Sequence, residues 1–337
     1  MHPTRVSRRY FVLASGLLLV GVMAGWAGSS GYHLIKKIPV GGEGGWDYLT
    51  FDEASRRLYI SRATRVIVLD ADQGTVVGEI PNMPGVHGIA LAPELNRGFI
   101  SNGGAASVTI FDSKTLKELG RTATTGENPD AILYDAASRR VFAMNGRGHN
   151  STAIDAATGA VVGTIPLDGR PEFAVADGRG KLYVNLEDKN EELVIDSQAL
   201  KVVARWKMGS CEEPSGLAID REHQRLFAGC GNQIMAVMDA GTGKLVTTVP
   251  IGRGVDANAF DPGTQLAFSS NGDGTLTVVH EDSPDKFSVL ENVPTQRGAR
   301  TMALDLKTHN VFLVTAEFGP PAPPTPERPR PRPTILP

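Results

Sequence analysis

Apolar residues in this chain come in short β-branched and aromatic runs of four to six, each broken by Gly, Pro, Asp or Asn, which predicts many short strands. A strand, a polar turn and a second strand return at a fixed interval: DYLTFDEASRRLYIS, HGIALAPELNRGFIS, DAILYDAASRRVFAM, EFAVADGRGKLYVN, SGLAIDREHQRLFAG, DANAFDPGTQLAFSS and RTMALDLKTHNVFLV. These units start at Asp47, His87, Asp130, Glu172, Ser215, Asp256 and Arg300, 40 to 44 residues apart. The interval is too long for a leucine-rich repeat and suits four short strands with their turns. Helical repeats can share the period, but their residue content does not match these runs.

The rest of each unit supplies the other two strands. The third ends in an aspartate turn, as in VIVLDADQG, TAIDAATGA and AVMDAGTGK, where Asp bonds the turn backbone and Gly takes a left-handed conformation. Asp112 and Asp196 open variants without that glycine. Fourth strands follow as VVGEIPN, VVGTIPL and LVTTVPI. Seven such units predict an all-β fold, a seven-bladed β-propeller with four-stranded blades.

A ring has to join its ends or leave a sheet edge unpaired. The early segment HLIKKIPVGG matches a fourth strand, KKIPVG against TTVPIG, so the N-terminal strand is expected to close the last blade. After Phe318 the chain reads GPPAPPTPERPRPRPTILP, extended and Pro-rich, and blade seven is expected to be incomplete unless the Ile335-Leu336 stub pairs. RRLYIS, KLYVN and RRVFAM, with their D-x-x-T-G turns, resemble the repeats of the YVTN-type (YncE-like) bacterial seven-bladed propellers over about residues 32 to 318. The resemblance implies the fold; such propellers share no single activity.

Composition changes the picture at the ends. Residues 1–27 carry Arg8-Arg9 before the apolar run Val12 to Val22, shorter than the roughly 20 residues that span a bilayer. This predicts a cleaved export signal resembling the twin-arginine type, with an ordinary secretory signal as the alternative, and hence a periplasmic protein with no stable membrane insertion. The expected domains are the signal at 1–27, the propeller at 32–318 and a Pro/Arg-rich tail at 319–337. Cleavage removes Arg5, Arg8 and Arg9, taking the formal charge from −3 to −6, which disfavours nucleic acid as a partner. The two cysteines, Cys211 and Cys230, fall on one face of blade five; a disulfide is favoured over a metal or redox pair.

Candidate chemistry lies where first strands start and second strands end, which antiparallel pairing brings to one mouth of the channel. The expected ligand-binding circle is Asp47, His87, Asp130, Glu172, Asp256 and Arg300, joined by Asn102, Asn145, Asn185 and Asn271 and walled by Trp46, Tyr48 and Phe173. Four carboxylates beside one arginine and one histidine should raise one another's pKa values or recruit a divalent cation. The opposite mouth, lined by turns such as REHQ and LKTHN, reads as solvated loops.

No nucleophile elbow, zincin helix, P-loop or haem motif is present. The expectation is therefore a monomeric, non-enzymatic binding or scaffold protein that takes a small ligand, cation or protein partner at the mouth. A metal-dependent hydrolase or lactonase using the same carboxylates is the alternative, with a divalent cation as its cofactor.

Overall fold

A computed structural model describes residues 30–41, 44–321, 323 and 333–335. The predicted export segment 1–27 and most of the tail, including Arg328, Arg330 and Arg332, lie outside the described residues. Among the described residues no helix is long and apolar enough to cross a membrane.

Six repeats each fold into a four-stranded antiparallel sheet in sequential order. Their inner strands are Trp46–Asp52, Val86–Ala92, Pro129–Asp135, Pro171–Ala176, Pro214–Asp220 and Val255–Asp261. Second and third strands are buried along almost their whole length, as at Arg140–Asn145 and Glu191–Asp196, because neighbouring blades cover both of their faces. Outer strands are half-wet and alternate, as Lys201–Lys207 does residue by residue.

The aspartate turns form as the sequence implies. Asp155 Oδ1 accepts from the amides of Ala157 and Thr158, and Gly159 takes the left-handed conformation at φ 75°. Where the glycine is missing, Leu116 and Leu200 adopt the same conformation at φ 61° and 55°. Each lies over a glycine of the preceding blade, Gly78 and Gly163 respectively, where a Cβ would come within 2.6 Å of the leucine Cδ1. Packing on the neighbouring blade thus offsets the cost of left-handed backbone at a residue with a Cβ.

The expected seven four-stranded blades are corrected to six. Among the described residues the seventh repeat forms only the two-stranded sheet Met302–Asp305 with Asn310–Leu313, seated between the inner strands of blades six and one. Beyond Leu313 the chain stays against the ring, with Val314 buried beside Leu49 and Ala303, and Phe318–Pro321 pairs with Pro333–Ile335. Closure by an N-terminal strand is not shown either. A fourth strand needs a third to pair with, and among the described residues the seventh repeat has none; Pro39 also lacks a donor for a ladder. Residues 30–41 instead cross this sheet through side chains. Tyr32 packs edge-on to Phe268 of blade six at 5.1 Å and donates to the His309 carbonyl at 3.1 Å, while Ile38 and Val40 pack with Leu49, Ile67 and Phe312.

The Cys211–Cys230 disulfide forms, joining the loop before the inner strand of blade five to the end of its second strand. The bridge encloses a loop of sequence separation 19. Chain-entropy reasoning puts its contribution at about 3 kcal/mol. The expected result for the Cys211→Ser, Cys230→Ser double variant is a midpoint lower by about 5 °C in thermal denaturation followed by circular dichroism. An unchanged midpoint would refute that contribution.

Candidate functional site

At one mouth of the channel the inner strands start with a recurring irregularity. Register shifts occur between Trp46 and Leu49, Val86 and Ile89, Pro171 and Ala174, Pro214 and Leu217, and Val255 and Ala257, and opposite Pro129 in blade three. A bulge re-aims the side chain it contains. Asp47, His87, Asp130, Glu172 and Asp256 all sit at the position just after the first paired residue, and all line one cavity of about 240 Å³. Arg300, before the short inner strand of the seventh repeat, lines it too.

Serine hydroxyls of the second strands hold the bulges. Ser61 Oγ accepts from the Tyr48 amide at 2.7 Å and Ser101 Oγ from the Gly88 amide at 2.8 Å. Ser101 and Ser270 also donate to the carbonyls of Asp130 and Arg300, tying each bulge to the next repeat. Tyr48 reaches across the channel from blade one to blade four, stacks on Phe173 at 5.6 Å and donates to the Glu172 carbonyl at 3.4 Å. The two rings give the cavity an aromatic wall.

The charges are unevenly matched. His87 Nδ1 lies 2.6 Å from Asp47 Oδ2 and 3.6 Å from Asp130 Oδ1, and these three residues offer ligand atoms close enough to share one metal ion. Arg300 pairs with Asp256 at 3.0 Å. Burial, with Asp47 and Glu187 adding repulsion and His87 and Arg170 opposing it, pushes Asp130 up to about 6. Asp256 is likewise raised by burial to about 6, against the pull of Arg300. Glu172 is driven well above the carboxylate range by burial and by Asp130, Glu187 and Asp256. Burial lowers the His87 pKa, but the hydrogen bond to Asp47 and the charges of Asp130 and Asp47 outweigh it and leave it raised.

The asparagines do not join this circle. Asn102, Asn145, Asn185 and Asn271 are fully buried. Asn145 donates to Asn150 and Thr152, Asn102 to Thr109, Asn271 to Thr275 and Thr277, and Asn185 to the Ser215 carbonyl of the next blade. They lie at the ends of second strands that are covered on both faces, Asn185 one residue before the last, so their amides turn into the blades rather than into the channel. Trp46 packs on Phe318 at 6.0 Å and is not part of the cavity lining. Residues the sequence did not single out, Leu49, Ala257, Asn258, Thr301 and Met302, complete the lining. The Arg170–Glu187 pair at 2.5 Å had a partial signal, since Glu187 follows a second-strand end.

No family model matches the chain, and no curated protein matches its sequence. Solved structures match its shape. A chain of Kuenenia stuttgartiensis hydrazine synthase superposes with a TM-score of 0.69 at 15% identity, covering 85% of this chain and 98% of that one. The WD40 repeats of RRP9 give 0.73 at 9% identity, over 81% and 88%. A chain of a mitotic checkpoint complex gives 0.71 at 15%, over 91% and 96%. At such identities the likeness establishes the fold alone: this chain is a β-propeller.

Proposed function

We propose that the protein is an exported, periplasmic binding protein of the YVTN-repeat (YncE-like) kind that holds a divalent cation or a small cationic group in this mouth. The observation that carries the reading is the charge inventory of the cavity: Asp47, Asp130, Glu172 and Asp256 face only His87 and Arg300 in about 240 Å³. That volume is equivalent to about eight waters, enough for a hydrated ion or a short amine and below the usual range of drug-sized sites. Carboxylate oxygens suit a hard cation, and the Asp47–His87–Asp130 cluster offers three ligand atoms for it. Tyr48 and Phe173 would pack against an organic cation.

The disulfide fits an oxidising compartment such as the periplasm. A second reading rests on the same cluster: an ion held there could polarise a lactone or ester carbonyl, making the protein a metal-dependent hydrolase. The test is calcium titration by calorimetry at neutral pH. One ion per chain is expected for the wild type, and its loss in Asp130→Asn, Asp256→Asn, with the fold retained by circular dichroism. Equal calcium binding by the two proteins would remove the mouth as the site. If the ion is present, a screen of lactones and esters separates catalyst from binder.

A further inference from the structure

The turns at the opposite mouth hold a second cluster, which the sequence presents as an ordinary loop. Asp220 ends the inner strand of blade five, His223 lies in the REHQ turn that follows, and Glu281 lies near the end of the third strand of blade six. Asp220 and Glu281 are 2% and 4% exposed, and the His223 side chain is about one-third exposed at 31%. His223 Nδ1 stands 2.8 Å from Asp220 Oδ2 and 3.0 Å from Glu281 Oε1.

Neither contact has hydrogen-bond geometry. Nδ1 of His223 and both oxygens of Glu281 are buried without a hydrogen-bond partner, an arrangement that costs free energy unless something fills it. Other groups do not supply the partner. Asp220 uses its carboxylate to cap its own turn, accepting from the amides of Glu222 and His223. The Arg225 guanidinium is taken by Asp239, Asp285 and the carbonyls of His223, Gln224 and Pro284. The contrast with His309 is direct, because its Nδ1 makes a well-formed 2.6 Å bond to Asp261.

We propose that Asp220, His223 and Glu281 form a binding site for a first-row divalent transition ion, zinc being the probe of choice, that staples blade five to blade six. Tetrahedral ligands at zinc bond lengths of about 2.0–2.2 Å lie roughly 3.3–3.6 Å apart. The observed 2.8 and 3.0 Å are shorter by about half an ångström, so the side chains need only a small outward rotation to admit the ion. One imidazole with two carboxylates suits a borderline ion better than calcium or magnesium. The exposed edge of the histidine leaves a path for the ion and a fourth position for water. The site is independent of the mouth, and nothing in it requires that reading to hold.

The experiment is zinc binding to the full chain by equilibrium dialysis, with thermal melting in zinc and in chelator. Glu281→Gln and His223→Gln are each expected to bind one zinc fewer per chain than the wild type, whereas His87→Gln at the mouth retains the Glu281-dependent ion. Zinc at a hundredfold excess over its dissociation constant should raise the wild-type midpoint by about 4 °C and leave Glu281→Gln unmoved. In chelator Glu281→Gln should melt no lower than the wild type, because no ordered ion pair is lost. Equal zinc stoichiometry in wild type and Glu281→Gln overturns the proposal. So does a lower midpoint of that variant in chelator, which would mark a histidinium bridge instead of a metal site.

Discussion

Replacing Arg56 with alanine is expected to cost about 3–5 kcal/mol of folding stability, the range for removing one partner of a buried ion pair. Arg56 stands in the first turn of blade one and forks onto Asp305, at the end of the short inner strand of the seventh repeat, with contacts of 2.8 and 2.5 Å. Asp305 is fully buried, so truncating Arg56 strands a carboxylate away from water. The same guanidinium lies over the Phe51 ring at 5.0 Å, and Phe51 stacks on Phe312 at 5.5 Å. This contact bears unusual weight because the repeat it secures has two strands where the others have four. The expected midpoint loss is about 5–8 °C. Asp72→Ala removes the solvent-facing partner of Arg56 and should lower the midpoint far less than Arg56→Ala. Equal losses for the two variants would refute the clasp.

The sign of the acid response follows from Asp305. Burial works to raise its pKa, but Arg56 and Thr308 hold it well below the usual carboxylate range. A depressed acid stabilises the fold above its unfolded pKa of about 3.9, and that stability is lost as pH falls toward the folded value. Arg56→Ala should therefore flatten the acid limb of the stability curve as well as lower its plateau.

Cation affinity at the mouth should rise about 100-fold between pH 5 and pH 7, if an ion requires both Asp130 and Asp256 ionised with each titrating near pH 6. His87, whose pKa is raised, adds to the trend because a ligating imidazole must first lose its proton. The ion-free protein should respond in the opposite sense. An acid with a raised folded pKa stabilises the fold below its unfolded pKa of about 3.9, and this stability is lost as pH rises toward the folded value of about 6. Melting of the chelated protein across pH 4 to 7, beside calcium titrations at each pH, checks both halves. An affinity that stays flat while the fold is intact would remove Asp130 and Asp256 from the site. Asp130→Asn, Asp256→Asn should make the falling limb of the apo curve shallower, leaving the part that Glu172 and His87 carry.

The mouth was legible because one strand position repeats. Asp47, His87, Asp130, Glu172 and Asp256 occupy equivalent places in five units, and antiparallel pairing carries them to one end of the channel. Their immediate neighbours were misread for a local reason. Asn145 pairs with Pro129, beside Asp130, yet a one-residue bulge sends the two side chains in different directions. No propensity of Asn or Asp encodes that bulge; it depends on how the blade twists against the next, with Ser101 bonded to the backbone of Asp130.

What the sequence by itself determined is whatever repeats locally: strand periodicity, aspartate turns, the unit length and so the propeller, with the two cysteines of blade five within reach of each other. What only the tertiary structure decided depends on partners distant in the chain. A blade counts as complete only if a third strand is there to pair, and among the described residues the seventh repeat lacks one. The Arg56–Asp305 clasp joins the two ends of the ring, and Asp220, His223 and Glu281 meet only because blades five and six pack face to face. Such contacts arise from the order of blades around a closed circle, whereas the repeat pattern records the residues within each blade.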